Sequence, residues 1–159
     1  MEFLDAYGLQ FQILCHVVLS MVLGAVVGVD REVADKSAGL RTHMLVAGAA
    51  TLFVSLGDVL VERFDVEMTH GVVRSDPLRI IEAVVTGVSF LGAGTIIRQQ
   101  ASSQVQGLTT AASLLFVAAI GVTVALLQWV LAVGLTVLLL IILRVLSVIS
   151  RWLGAKRHA

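Results

Sequence analysis

The chain has 159 residues, of which 58% are hydrophobic and 14% charged, with a mean hydropathy of +0.98. So apolar a composition excludes an ordinary soluble domain and marks an integral membrane protein. Lys and Arg number 11 and Asp and Glu 11, so no basic field exists to hold nucleic acid and no charged tail is present.

A bilayer span needs about 20 apolar residues, and five stretches qualify. The first covers residues 9–29, broken only by Gln10, Gln12, His16 and Ser20. Met1-Glu2-Phe3-Leu4-Asp5 ahead of it carries acid and no base, unlike a cleaved signal, so the span is read as retained. Cys15 reads as a small buried hydrophobe and His16 as a hydrogen-bonded packing residue. The second span covers about 42–61, the third 79–97, the fourth 108–124 and the fifth 127–149. The last two are separated only by Gln128-Trp129, and one uninterrupted helix would overshoot any bilayer, so a tight turn is expected within 123–129. Trp129 and Trp152 suit aromatic belts at opposite interfaces.

Basic residues orient the spans. Arg31, Lys36, Arg41, Arg98, Arg151, Lys156 and Arg157 fall on one side, and Arg63, Arg74 and Arg79 on the other. The richer side is cytoplasmic, which puts the N-terminus outside and the C-terminus inside. The outer connection, with Glu62, Asp65, Glu67, Asp76 and His70-Gly71, reads as a solvated loop of mixed charge rather than a divalent-cation site. Asp76 can cap the third span and Pro77 fits its first turn.

The densest polar chemistry lies in residues 24–45, between the first two spans. Arg31 precedes Asp35 by four residues and Glu32 precedes Lys36 by four, so a helical extension would pair both. Asp30, Arg41 and His43 are then left over. Sliding the chain on itself by 68 residues aligns 9–60 with 77–128 without a gap, matching Leu23-Gly24-Ala25 to Leu91-Gly92-Ala93 and Gly39-Leu40 with Thr42 to Gly107-Leu108 with Thr110. Each copy returns to its starting side, so the expected fold is all-α: two parallel two-helix repeats plus a fifth transmembrane helix, forming a single domain over 1–159.

Both repeat loops then share the cytoplasmic face. Gly24 and Gly28, and Gly87, Gly92 and Gly94, form small-residue faces suited to close helix packing. Gly39 and Gly107 read as turn glycines before a helix, with Thr42, Thr109 and Thr110 near the caps. Two helix N-termini aimed into one crevice suit an anion or a carboxylate. Arg41 would deepen that preference, and Asp30 or Glu32 could be the carboxylate that fills it. Within the spans, Asp58 and Glu82 lie near the outer ends and Arg144 near the inner end, where it can snorkel. These are too few mid-depth carboxylates for a Mg2+ pore in one chain. No nucleotide loop, HExxH or Gly-x-Ser-x-Gly motif occurs, so an enzyme is not expected and no cofactor is read.

Gly28-Val29-Asp30-Arg31-Glu32, Ala38-Gly39-Leu40-Arg41-Thr42-His43, Asp76-Pro77-Leu78-Arg79, Gly87 through Ile96, and Gly107-Leu108-Thr109-Thr110-Ala111-Ala112 follow one another in an order that resembles the MgtC/SapB family of bacterial inner-membrane proteins. The resemblance covers about residues 10–150. It implies five transmembrane helices, an outside N-terminus, a link to magnesium limitation and, in some members, survival inside host cells. One role it implies is binding and restraint of the membrane ATP synthase. Members often carry a soluble C-terminal domain, which is not expected here because the sequence stops at Ala159. Asp30 stands where Glu is usual, and Ala125 and Leu127 replace glycines of the last turn. The expected function is a non-enzymatic regulator working through the Asp30, Arg31, Glu32, Gly39, Arg41, Thr42 and His43 loop and the Arg98, Gly107, Thr109 and Thr110 loop. The alternative is a small-ion transporter, for Mg2+ or an anion, formed by a homo-oligomer, with a dimer favoured.

Overall fold

A computed structural model describes residues 2–67, 78–98 and 105–155, with side chains described for 7–61, 78–96 and 105–145. The elements run α1 (Glu2–Val33), α2 (Leu40–Glu67), α3 (Leu78–Gly94), β1 (Ile97–Arg98), β2 (Val105–Gln106), α4 (Leu108–Ala125) and α5 (Trp129–Ala155). A helix lies over each of the five expected spans. Among the described residues, Tyr7–Val33, Leu40–Val61 and Leu108–Ala125 are long and apolar enough to cross a membrane. The 17-residue α3 is shorter, and α5 is apolar over Trp129–Val145, the part of it whose side chains are described. The outer connection with its acids, His70, Arg74 and the Asp76-Pro77 cap lies outside the described residues or their described side chains, as do the side chains of Trp152, Arg151, Lys156 and Arg157.

The helix ends follow from local backbone chemistry. At the end of α1 the Lys36 N–H reaches back to Arg31 O (3.1 Å) and the Asp35 N–H to Glu32 O (3.0 Å), with Asp35 at φ 52. This left-handed cap satisfies carbonyls that the helix leaves orphaned. The same pattern closes α4, where the Gln128 N–H bonds Thr123 O at 2.9 Å and the Leu127 N–H bonds Val124 O at 3.0 Å, with Leu127 at φ 58. The turn expected within 123–129 is therefore found, and Leu127 occupies a conformation that favours glycine. The expectation that the third span runs to residue 97 is corrected. The Thr95 and Ile96 N–H groups bond Gly92 O and Ala93 O, three residues back, which tightens and ends α3. Ile97 and Arg98 then pair antiparallel with Gln106 and Val105.

Helix directions are read from contacts. Gly24 on α1 lies against the His43 backbone on α2, and Gly28 against Leu40, so the two helices are antiparallel. A Cβ on Gly24 would stand 2.6 Å from His43 O. Gly92 on α3 meets Ala111 on α4 in the same sense, at 3.2 Å from its would-be Cβ. α2 and α4 run parallel, because His43 meets Ser113 at one level and Thr51 meets Gly121 O (2.8 Å) two turns further along both helices. α5 runs parallel to α1: His16 meets Trp129 at one end and Asp30 meets Arg144 at the other. Gly87 and Gly94, expected to pack, face nothing within 4 Å among the described residues.

Val27, Ala47, Val117, Ile120 and Val124 fill the middle of the bundle and are fully buried or nearly so. Ala38, Val46, Ala50, Leu114 and Ala118 continue the core toward α3. In lipid such contacts gain mainly van der Waals packing, since the tails outside are equally apolar. Cys15 is exposed on α1, against the expectation of burial. His16 is half-buried and packs its ring edge-on to Trp129 at 5.0 Å, rather than through the hydrogen bond expected of it.

Candidate functional site

One end of the bundle gathers the charges. Asp30, in the last turn of α1, is 9% exposed and Arg31 5%. Arg31 curls back so that its Nε (3.1 Å) and Nη2 (2.5 Å) both donate to Asp30 Oδ2. Arg144 of α5 donates its Nε to Oδ1 at 2.8 Å. A carboxylate at a helix C-terminus opposes the helix dipole, and one buried without partners is very costly. Two guanidinium groups offset both effects and tie the last helix to the first. The expected pairs of Arg31 with Asp35 and Glu32 with Lys36 are corrected, because α1 ends at Val33 and Asp35 turns left-handed. Arg144, placed where it can snorkel, puts its guanidinium on the Asp30 cluster while the side chain stays 73% exposed.

Glu32 Oε2 accepts the Leu40 N–H at 2.7 Å, at the N-terminus of α2. This carboxylate fills the place that the helix dipole offers an anion, so that site is occupied from within the chain. A Cβ on Gly39 would meet the Glu32 carboxylate, which would have to swing aside and give up the Leu40 N–H. Gly107 caps α4 at φ 93, with no side-chain capping bond, and a Cβ on it would collide with Thr95 O. Thr42, Thr109 and Thr110, expected near the caps, stand in the first turns of α2 and α4. Thr42 is half-buried, Thr109 exposed, and Thr110 buried with its carbonyl turned to Ser113.

His43 is fully buried between α2 and α4. Its Nδ1 lies 2.8 Å from Gly39 O, and a carbonyl can only accept, so the proton sits on Nδ1. Nε2 lies 3.1 Å from Ser113 Oγ, which is itself 2.8 Å from Thr110 O. With neutral imidazole, the single hydroxyl proton must choose between two acceptors. The site therefore joins Asp30, Arg31, Glu32, Gly39, His43 and Thr110 in one packed end, with Arg41 and Thr109 exposed on the first turns of α2 and α4. Arg98 contributes backbone to β1, and its side chain lies outside those described. Arg144 and Ser113 were missed as site residues. The available signal was charge matching: Arg144 is the only charged residue within 127–149, and Asp30 was left unpaired.

The family model described as the MgtC family matches residues 17–152. The chain belongs to the MgtC family. That match takes in every residue of the charged end. The chain is 38% identical over 114 residues to the protein MgtC of Salmonella typhimurium, covering 72% of this chain and 43% of that protein. It is 36% identical over 118 residues to YhiD of Escherichia coli, whose name carries a provisional assignment as a magnesium transporter, covering 71% of this chain and 50% of YhiD. A protein of Haemophilus influenzae is 31% identical over 144 residues, 91% of this chain and 59% of that one. The chain thus spans about half the length of these relatives. No solved structure matches it.

Proposed function

We infer that this membrane protein is a non-enzymatic regulator in adaptation to Mg2+ limitation, acting through partner contacts at its charged end. The observation that carries this reading is the middle of the bundle. Among the described residues, Val27, Ala47, Val117, Ile120 and Val124 separate the Asp30 end from the His16 end. The core hydroxyls of Ser20, Thr51 and Thr136 are spent on backbone carbonyls. The described core thus offers an ion no polar path, which supports a regulator, and Arg41 and Thr109 offer a partner exposed polar groups. Membership of the MgtC family and the name of YhiD supply the link to magnesium.

In this reading the protein is a multi-pass protein of the bacterial inner membrane with five spans, its N-terminus outside and the charged end cytoplasmic. The repeat is supported by matching contacts 68 residues apart: Gly24 with His43 and Gly92 with Ala111, and the His43 N–H on Gly39 O and the Ala111 N–H on Gly107 O. α5 is the addition to the two repeats. The outward Gly87 and Gly94 of α3 would serve a homodimer, and the partner implied by the resemblance is a membrane complex such as ATP synthase. A dimer that conducts Mg2+ or an anion along its interface is the second reading, favoured by the name of YhiD. Growth in low Mg2+ tests the first: Arg41→Ala or Thr109→Ala, at unchanged protein level, is expected to impair growth, and unimpaired growth refutes the regulatory face.

A further inference from the structure

The two sides of α3 are unlike. Val84, Val88 and Gly92, four residues apart, form its buried stripe. Ala83, Thr86, Phe90 and Ala93 fall on the far side of the helix at about 100° per residue, and all are exposed, Phe90 at 80%. Their 3-4-3 spacing is that of a heptad seam, the pattern with which a helix meets a parallel partner. Arg79 and Glu82 continue that side into the first turns of α3, at the end away from the Asp30 cluster. Both are exposed, and among the described residues neither side chain has a hydrogen-bond or ion-pair partner, including each other. α3 is also short: its 17 residues make about 26 Å at 1.5 Å per residue, against a hydrocarbon core of about 30 Å. A short helix draws its end residues toward the hydrocarbon, where an unpaired carboxylate or guanidinium is costly.

We propose that a second copy of this chain covers this side of α3, in a two-fold dimer with its axis along the membrane normal and Arg79 of each subunit bonded to Glu82 of the partner subunit. Copies inserted in one orientation set α3 parallel to α3, so equal residues meet at equal depth. A two-fold interface is isologous, and a contact from position 79 to position 82 is therefore made twice. The two positions differ by about 4.5 Å along the axis, a rise that the long, flexible arginine stem bridges. All four charges are then paired across the interface. Along the seam Ala83 and Ala93 let the backbones approach, and Gly87 and Gly94 leave open space beside the Phe90 ring. Acyl chains would cover Phe90 yet supply no charge to Arg79 or Glu82. This interface specifies the homodimer of the reading above and does not depend on the regulatory role.

Förster transfer between full chains labelled at Cys15, the single cysteine and an exposed one, tests this in liposomes as added lipid dilutes the protein. Arg79→Glu and Glu82→Arg are each expected to weaken self-association at least about tenfold. An equal mixture of the two variants is expected to associate as tightly as the unaltered chain, because one is acidic at both positions and the other basic at both. That rescue also shows that both variants fold. In the Cys15→Ser chain, oxidation is expected to crosslink Ala93→Cys but not Val130→Cys, although Val130 on α5 is 89% exposed. A monomeric unaltered chain, unaltered association of either charge variant, no rescue on mixing, or crosslinking at Val130→Cys and not at Ala93→Cys overturns the proposal. If the mixture associates while Arg41→Ala leaves growth in low Mg2+ intact, the interface stands and the regulatory face falls. If the mixture fails to associate while Arg41→Ala impairs growth, the interface alone falls.

Discussion

Truncating Asp30 and truncating Arg144 break the same ion pair, yet the structure sets very different costs for the two. Asp30→Ala removes the acceptor of three charged hydrogen bonds and strands Arg31, which is 5% exposed. Removing one partner of a buried pair costs about 3–5 kcal/mol, because the remaining charge stays desolvated. Arg144→Ala removes a side chain that is 73% exposed and leaves Asp30 its bonds from Arg31. A pair with one solvated partner behaves more like a surface pair, and a loss of about 0.2–1 kcal/mol is expected. Unfolding by added dodecyl sulfate in mixed micelles, followed by helical circular dichroism, measures both. Once Asp30 is gone, adding Arg144→Ala should change little further, since the interaction it loses no longer exists. Equal costs for the two single variants, or a cost below about 1 kcal/mol for Asp30→Ala, would refute the assignment of Asp30 as the buried centre.

Gly28→Ala places a Cβ 2.7 Å from Leu40 Cα, and the same unfolding assay should show a loss of about 1–3 kcal/mol as α1 and α2 are forced apart. Gly87→Ala meets nothing within 4 Å, so the fold should hold within about 0.5 kcal/mol while crosslinking of a homodimer falls. Ser113→Ala leaves the buried His43 Nε2 without its partner and should cost about 1–3 kcal/mol. Leu127→Gly relieves a left-handed backbone at φ 58 and is expected to raise stability by up to about 1 kcal/mol, read as a higher melting temperature; a lower one would contradict the cap geometry.

The helices were legible because hydropathy over a span-length window depends only on which residues are apolar, and the glycines at 24, 28 and 92 mark where backbones must approach. The turn between α4 and α5 was legible too, since no continuous helix of that length fits a bilayer. What escaped depended on where a chain end turns. Once Asp35 closes α1, Glu32 no longer faces Lys36 but reaches the Leu40 N–H eight residues on, and spacing along an assumed helix cannot reveal that. The Asp30–Arg144 bond joins residues 114 apart in sequence, a distance at which only charge matching gives a hint. Gly87 and Gly94 resemble Gly92 in sequence, yet only Gly92 meets a neighbouring helix in this chain, because α3 turns a single face to α4. Gln12 and His16 read as interruptions of an apolar run and Asp58 as a charge near an outer end; the antiparallel pairing of α1 and α2 brings them, with Ser55, around one cleft.

A chain that regulates at its charged end should carry no ion through its apolar core. Purified protein reconstituted into liposomes loaded with a Mg2+-sensitive dye tests that claim most directly. Influx indistinguishable from that of empty liposomes is expected across a range of external Mg2+. Saturable Mg2+ influx that requires the protein would contradict it.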